Sequence, residues 1–132
     1  MNYLIDTCIV SDFFKKVPTV VEGFRKTSPR QIHLSSITVM EVEFGLNLNA
    51  ERAKKIRPLW DQLLKHVQVI PFSSACAIAA AAVRSQLKQE GLPIGPYDTL
   101  IAGTAIANGL VVVTANLREF QRVSSLKTEN WR

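Results

Sequence analysis

The chain has 132 residues, enough for one domain that buries a core without disulfides or a structural metal. Hydrophobic residues are 47% and charged residues 20% of it, which excludes a disordered segment, and no apolar run approaches the roughly 20 residues that cross a bilayer. The net charge of +5, from 16 Lys and Arg against 11 Asp and Glu, is as compatible with simple solubility as with a nucleic-acid partner.

The opening residues 1–6 lack a basic segment followed by a long apolar one, so no secretion signal and a cytosolic location are expected. Cys8 and Cys76 have no Cys or His neighbour at metal-ligand spacing and read as free, reduced, buried thiols.

In chain order, Tyr3-Leu4-Ile5 reads as a buried strand that delivers Asp6 to its C-terminal tip. Ile9, Val10, Phe13 and Phe14 then recur at helical spacing until Lys15-Lys16-Val17-Pro18. A second helix around Val20, Val21 and Phe24 closes at Thr27-Ser28-Pro29, and residues 32–35 read as a strand. From Thr38 a helix containing Glu41 is expected to run to Gly45. Residues 50–67 read as a long amphipathic helix or, given Pro58, a helical pair.

Residues 67–71 form another strand candidate, and an alanine-rich helix capped by Ser73 or Ser74 runs to Glu90 and stops at Gly91. After the Gly/Pro loop 92–96, a helix spans 98–107, and the β-branched run 110–114 suits a strand buried on both faces of a parallel sheet. No repeat or linker divides the chain. The alternation predicts an α/β fold, a three-layer α/β/α sandwich with a central, mostly parallel twisted sheet, whose site lies along the strand C-termini.

Asp6, Glu41 and Asp98 each have a local explanation. Asp6 and Asp98 are possible helix caps, and Glu41, beside Glu43, suits the polar stripe of its helix. Brought together, such carboxylates would repel one another unless a cation neutralised them, and oxygen-only ligands favour Mg²⁺ or Mn²⁺ over zinc. That chemistry suits phosphodiester hydrolysis.

Residues 4–7, 35–41, 93–102 and 113–120, with the ending Glu129-Asn130-Trp131, together resemble a PIN-domain ribonuclease, and more closely the VapC toxins of bacterial toxin–antitoxin pairs. The resemblance implies a PIN-like nuclease domain over 1–132 and a metal site at Asp6, Glu41 and Asp98, with Glu119 the preferred fourth carboxylate. The family often has Asp where this chain has Asn116, which can coordinate through its amide oxygen. Where members commonly have Asn the chain has Cys8, leaving a local hydrogen bond open.

Thr7, Ser36, Thr38 and Thr114 lie beside the acids, as outer hydrogen-bonding groups or helix caps. Arg118 and Arg122 flank Glu119 and suit substrate contact, while Tyr97 suits base stacking or core packing. By resemblance, the expected substrate is structured RNA, with the anticodon loop of initiator tRNA favoured. The expected partners are a VapB-like antitoxin and a second copy of the chain. The apolar helices from Phe44 to Leu64, including Trp60 and Leu63, are the expected antitoxin surface. The alternatives are a catalytically silent RNA- or antitoxin-binding module, and a DNA flap nuclease or phosphatase.

Overall fold

The structure, a computed structural model, describes residues 1–132. Strand β1 (Tyr3–Ile5) leads into α1 (Thr7–Phe14), which ends where Lys16 takes a positive φ of 58° ahead of Pro18. Pro18 opens α2 (Pro18–Lys26), at a position where a helix needs no N–H. A short turn then delivers β2 (Ile32–Ser35).

Helix α3 (Ser36–Leu48) runs past Gly45, the expected stop. An internal glycine weakens a helix by about 1 kcal/mol, too little to end one whose neighbours Val42 and Leu46 are buried in the core. Helix α4 (Ala50–His66) is one helix rather than a pair, because Pro58 sits on its exposed side. Next come β3 (Gln68–Ile70), α5 (Ser74–Gln89) capped by Ser73, and α6 (Pro96–Asn108), which ends at Gly109 with φ 64°. Strand β4 (Val111–Val113), the one-turn α7 (Leu117–Phe120) and the two-residue β5 (Thr128–Glu129) complete the chain.

The sheet has the order β3-β2-β1-β4-β5 and is parallel throughout, where a mostly parallel one was expected. The chain steps outward from β1 to β2 and β3, then returns to lay β4 on the other side of β1. Strand order therefore reverses between β1 and β4, and in open α/β sheets the crevice beyond the strand C-termini at such a point is where ligands bind.

Alternation along each strand splits the core in two. Ile5 and Val113 face a cluster built by α1, α2, α3 and α4, while their neighbours Leu4 and Val112 face a cluster built by α5, α6 and α7. Within the second cluster, α5 and α6 approach so closely that a Cβ on Gly103 would lie 2.6 Å from the Ala80 Cβ and 2.7 Å from its backbone nitrogen. Only a glycine fits there, and the alanine-rich α5 makes the approach possible.

Trp60 and Leu63 are buried in the first cluster, which overturns their expected place on an antitoxin-binding surface. The Trp60 Nε1–H donates to Glu43 Oε2 at 2.8 Å, and Arg57 grips the same carboxylate at 2.8 and 2.9 Å. A buried indole needs such a partner, and α3 supplies it. Trp131 packs against the same cluster, on Gly23, Tyr3 and Phe24. No helix is long and apolar enough to cross a membrane.

Candidate active site

Asp6 follows β1 directly, so the switch point and the first acid coincide. It serves as both cap and site residue: Oδ1 accepts from the Thr7 N–H at 2.8 Å, and Oδ2 accepts from the Thr114 hydroxyl at 2.8 Å and the Cys8 thiol at 3.2 Å. At 4% exposed, its carboxyl is pushed above the usual range by burial, an effect that these three donors hold back and that Glu119 reinforces.

Thr114 ends β4 and also accepts from the Asn116 N–H at 2.9 Å. Cys8 answers the open hydrogen bond at its position, because its sulfur donates to Asp6 and accepts from the Ala115 N–H at 3.5 Å. Burial and the adjacent Asp6 push the Cys8 pKa up to about 11, which keeps it a thiol and therefore a donor.

Glu41 reaches the crevice from the second turn of α3. Its Oε1 accepts from the Thr7 hydroxyl at 2.8 Å; that hydroxyl lies 3.0 Å from Thr38 Oγ1, which in turn lies 3.4 Å from Ser35 Oγ. Ser35 also caps α3 by accepting from the Thr38 N–H at 3.0 Å. Ser36 is not part of this chain of hydroxyls: its Oγ accepts from the Phe72 N–H at 3.0 Å and ties the start of α3 to the segment after β3. Helix geometry explains the difference, since adjacent residues diverge by about 100°. Glu43, engaged with Trp60 and Arg57, belongs to the core side.

Asp98 is not a helix cap. Gly95 occupies that place without a side-chain bond, and Pro96 starts α6 two residues earlier than expected because its fixed φ and missing N–H suit the first helical position. Its carboxylate instead meets the side chains of α7. The Asn116 amide donates from Nδ2 to Asp98 Oδ2 at 3.1 Å and to Glu119 Oε2 at 2.6 Å, so Asn116 presents nitrogen, not oxygen, to the acids. Glu119 Oε1 accepts from the Gly95 N–H at 2.9 Å.

Asp98 and Glu119 shift one another in opposite directions. Burial first, then the bond to Glu119 and the charges of Asp6, Glu119 and Glu41, push the Asp98 pKa up to about 7. Glu119 is correspondingly held below the usual carboxylate range, chiefly by its bond to Asp98, then by Asn116, the Gly95 N–H and Arg122.

The substrate-contact candidates diverge. Arg118 is exposed, whereas Arg122 donates from Nη1 to the Pro93 carbonyl at 2.9 Å and so braces the loop before Asp98. Tyr97 is 48% exposed and outside both core clusters, which excludes core packing for it. The sequence reading missed three contributors: Ser35, the Gly95 N–H and the Cys8 thiol. Only the Gly-Pro pair and the position of Cys8 in the first turn after Asp6 hinted at them.

The donor set suits a hard divalent cation. Asp6, Glu41, Asp98 and Glu119 form no ion pair with Lys, Arg or His, and the charges of the other three add to the upward shift of Asp98. No three histidine, cysteine or acidic side chains converge on one ion-sized point. Magnesium commonly needs only one or two carboxylates and keeps several waters, so chemistry rather than a closed cage makes the fit.

A parallel α/β sheet with four unpaired carboxylates at its switch point defines the class as an α/β domain with an acidic active-site cleft. The chain belongs to the PIN-domain family, which matches residues 3–126. It is 30% identical over 131 residues to the tRNA(fMet)-specific endonuclease VapC of Shigella flexneri, covering 99% of this chain and 98% of that protein. It is 34% identical over 135 residues to ribonuclease VapC2 of Rickettsia felis, with the same coverage. Among solved structures it is similar to a chain of VapBC2 from Rickettsia felis bound to a DNA fragment from their promoter, with a TM-score of 0.91 at 31% identity over 100% of both chains. It is also similar to DNA-bound VapBC from Salmonella typhimurium, with a TM-score of 0.89 at 31% identity over 100% of this chain and 99% of that one.

Proposed function

We propose that this chain is the toxin of a toxin–antitoxin pair and an endoribonuclease that depends on Mg²⁺ or Mn²⁺ held by Asp6, Glu41, Asp98 and Glu119. The observation that carries the metal reading is the set of four carboxylates at the switch point with no cationic partner. A bound ion would supply an activated water and charge neutralisation at the phosphoryl oxygens.

The chain's own residues do the rest. Thr114, Cys8 and the Thr7 N–H fix Asp6 in one orientation, and Thr7 orients Glu41. Asp98, whose pKa is pushed up to about 7, would have to be ionised to serve as a charged ligand. Arg118, exposed and next to Glu119 in sequence, is the proposed phosphate contact.

The favoured substrate is initiator tRNA, supported by the name of the Shigella flexneri relative, with the anticodon loop as the cleavage site that the family resemblance suggests. Cleavage there would stop translation in the cytoplasm. A VapB-like antitoxin is the proposed partner, supported by the VapBC structures, together with a homodimer. With Trp60 and Leu63 in the core, the apolar surface that remains available to the antitoxin is Phe44 and Leu48 on α3 and Leu59 on α4, all exposed.

The test is incubation of the purified chain with total tRNA, with Mg²⁺ and with EDTA, followed by mapping of the new ends. Metal-dependent cuts confined to the initiator tRNA anticodon loop are expected, and they should vanish in Asp6→Asn and Glu119→Gln. Cleavage that survives EDTA or Asp6→Asn refutes the metal site, and cuts elsewhere refute the substrate.

A further inference from the structure

A groove of about 560 Å³ lies between the last turns of α5 and the loop that opens α6, the loop that precedes Asp98. Its apolar lining comes from Leu87, Ile94 and Leu100, with exposed Tyr97. Arg84 and Lys88 line it as well. No acidic residue lines it.

Three observations point to a nucleic-acid strand as the occupant. First, Arg84 and Lys88 are spaced four residues apart on one helical face, where like charges disfavour an isolated helix, yet neither pairs with a carboxylate. Two unneutralised cations beside an apolar lining suit a ligand with an anionic backbone and flat apolar faces. Second, the volume lies in the range that holds a small organic ligand, about 300–1,000 Å³. Third, the groove and the acid site share one braced loop: the Gly95 N–H holds Glu119, the Pro93 carbonyl holds Arg122, and Tyr97 and Asp98 are consecutive in the first turn of α6. The two sites are therefore joined through that loop.

We propose that this groove is a nucleotide subsite, which takes the base of a nucleotide neighbouring the scissile bond against Tyr97, Ile94 and Leu100 and its phosphates at Arg84 and Lys88. The proposal rests on the ribonuclease reading and adds where the RNA lies. It gives the α5 cations, which neither core nor acid site uses, a role in holding substrate.

Fluorescence anisotropy tests it, with a fluorescein-labelled single-stranded oligoribonucleotide of mixed sequence titrated at several salt concentrations. The background is Asp6→Asn, chosen to prevent cleavage without touching the groove. Arg84→Gln with Lys88→Gln should weaken binding and lower the slope of log affinity against log salt by about 1.4, from about 0.7 per phosphate contact on a single strand. Tyr97→Ala should weaken binding by roughly 5- to 150-fold, the range of one base–aromatic stack, with the slope unchanged. Tyr97→Phe should restore it. All three side chains are exposed, so circular dichroism should show the parent fold in every variant.

An unchanged salt slope in the Arg84/Lys88 variant, or parent-like binding by Tyr97→Ala, overturns the subsite. So does loss of antitoxin from the co-expressed complex while RNA binding is intact, which assigns the groove to a protein. If Asp6→Asn still cleaves, the acid reading fails separately, and binding can still be read in EDTA.

Discussion

The raised Asp98 pKa makes a quantitative prediction about metal binding. With the Asp98 pKa pushed up to about 7, about one molecule in eleven carries it ionised at about pH 6, and about ten in eleven at about pH 8. If the ion binds only the ionised form, its apparent affinity should rise roughly tenfold across that window and level off above it. Binding should release close to one proton near pH 6 and little at about pH 8. Glu119→Gln removes the carboxylate whose bond and charge contribute to the shift, so the rise should move to lower pH. It should stop above the ordinary aspartate range, because burial, the largest cause, remains. Mn²⁺ titration followed by electron spin resonance, with calorimetry in buffers of different ionisation enthalpy, measures both quantities. Affinity that is flat between about pH 6 and about pH 8, or an unshifted profile in Glu119→Gln, would refute the reasoning that Glu119 helps to raise Asp98.

The same shift bears on stability. Without added metal, a carboxyl whose folded pKa is raised binds more protons folded than unfolded between its two pKa values, so stability should fall as pH rises from about 4 to about 7. Asp98→Asn should flatten that fall in thermal melts in EDTA, and an equal pH dependence in the variant counts against the effect. Asn116→Asp replaces a donor to two carboxylates by a further negative charge. It should lower the melting temperature in EDTA and enlarge the upward shift that Mn²⁺ produces, whereas an unchanged melt in EDTA would show that the amide bridge carries no weight. Thr114→Val keeps the shape but removes the 2.8 Å bond to Asp6, at a cost of about 1–3 kcal/mol in denaturant unfolding. Gly103→Ala drives a methyl into the Ala80 backbone and should cost about 1–3 kcal/mol, while Gly45→Ala, inside α3 with open space around it, should stabilise by up to about 1 kcal/mol.

Local patterns legible in the sequence settled much of the molecule. The apolar run 3–5 before Asp6 and the largely β-branched run 110–114 before Asn116 suit buried strands, a pattern that predicts a parallel sheet with Asp6 at one strand's tip. The expected helices are present, because their apolar spacing and the caps at Asp6 and Ser73 are properties of neighbouring residues. Helix α7 and β5 escaped notice because one turn and two residues are too short to leave a periodicity.

What the sequence could not decide depends on distance in space. Trp60 reads as an exposed apolar residue until α3 brings Glu43 to its indole, and Ser36 reads as a neighbour of the acids until its hydroxyl is seen on Phe72. The acids themselves were each explicable alone. Only the return of the chain from β3 to β4 sets Asp98 and Glu119 against one another, turns the Asn116 nitrogen towards both, and leaves Asp98 half-protonated near neutrality. A pKa shift of that kind is a property of the assembled crevice, since no span of residues read in order contains the charges that cause it.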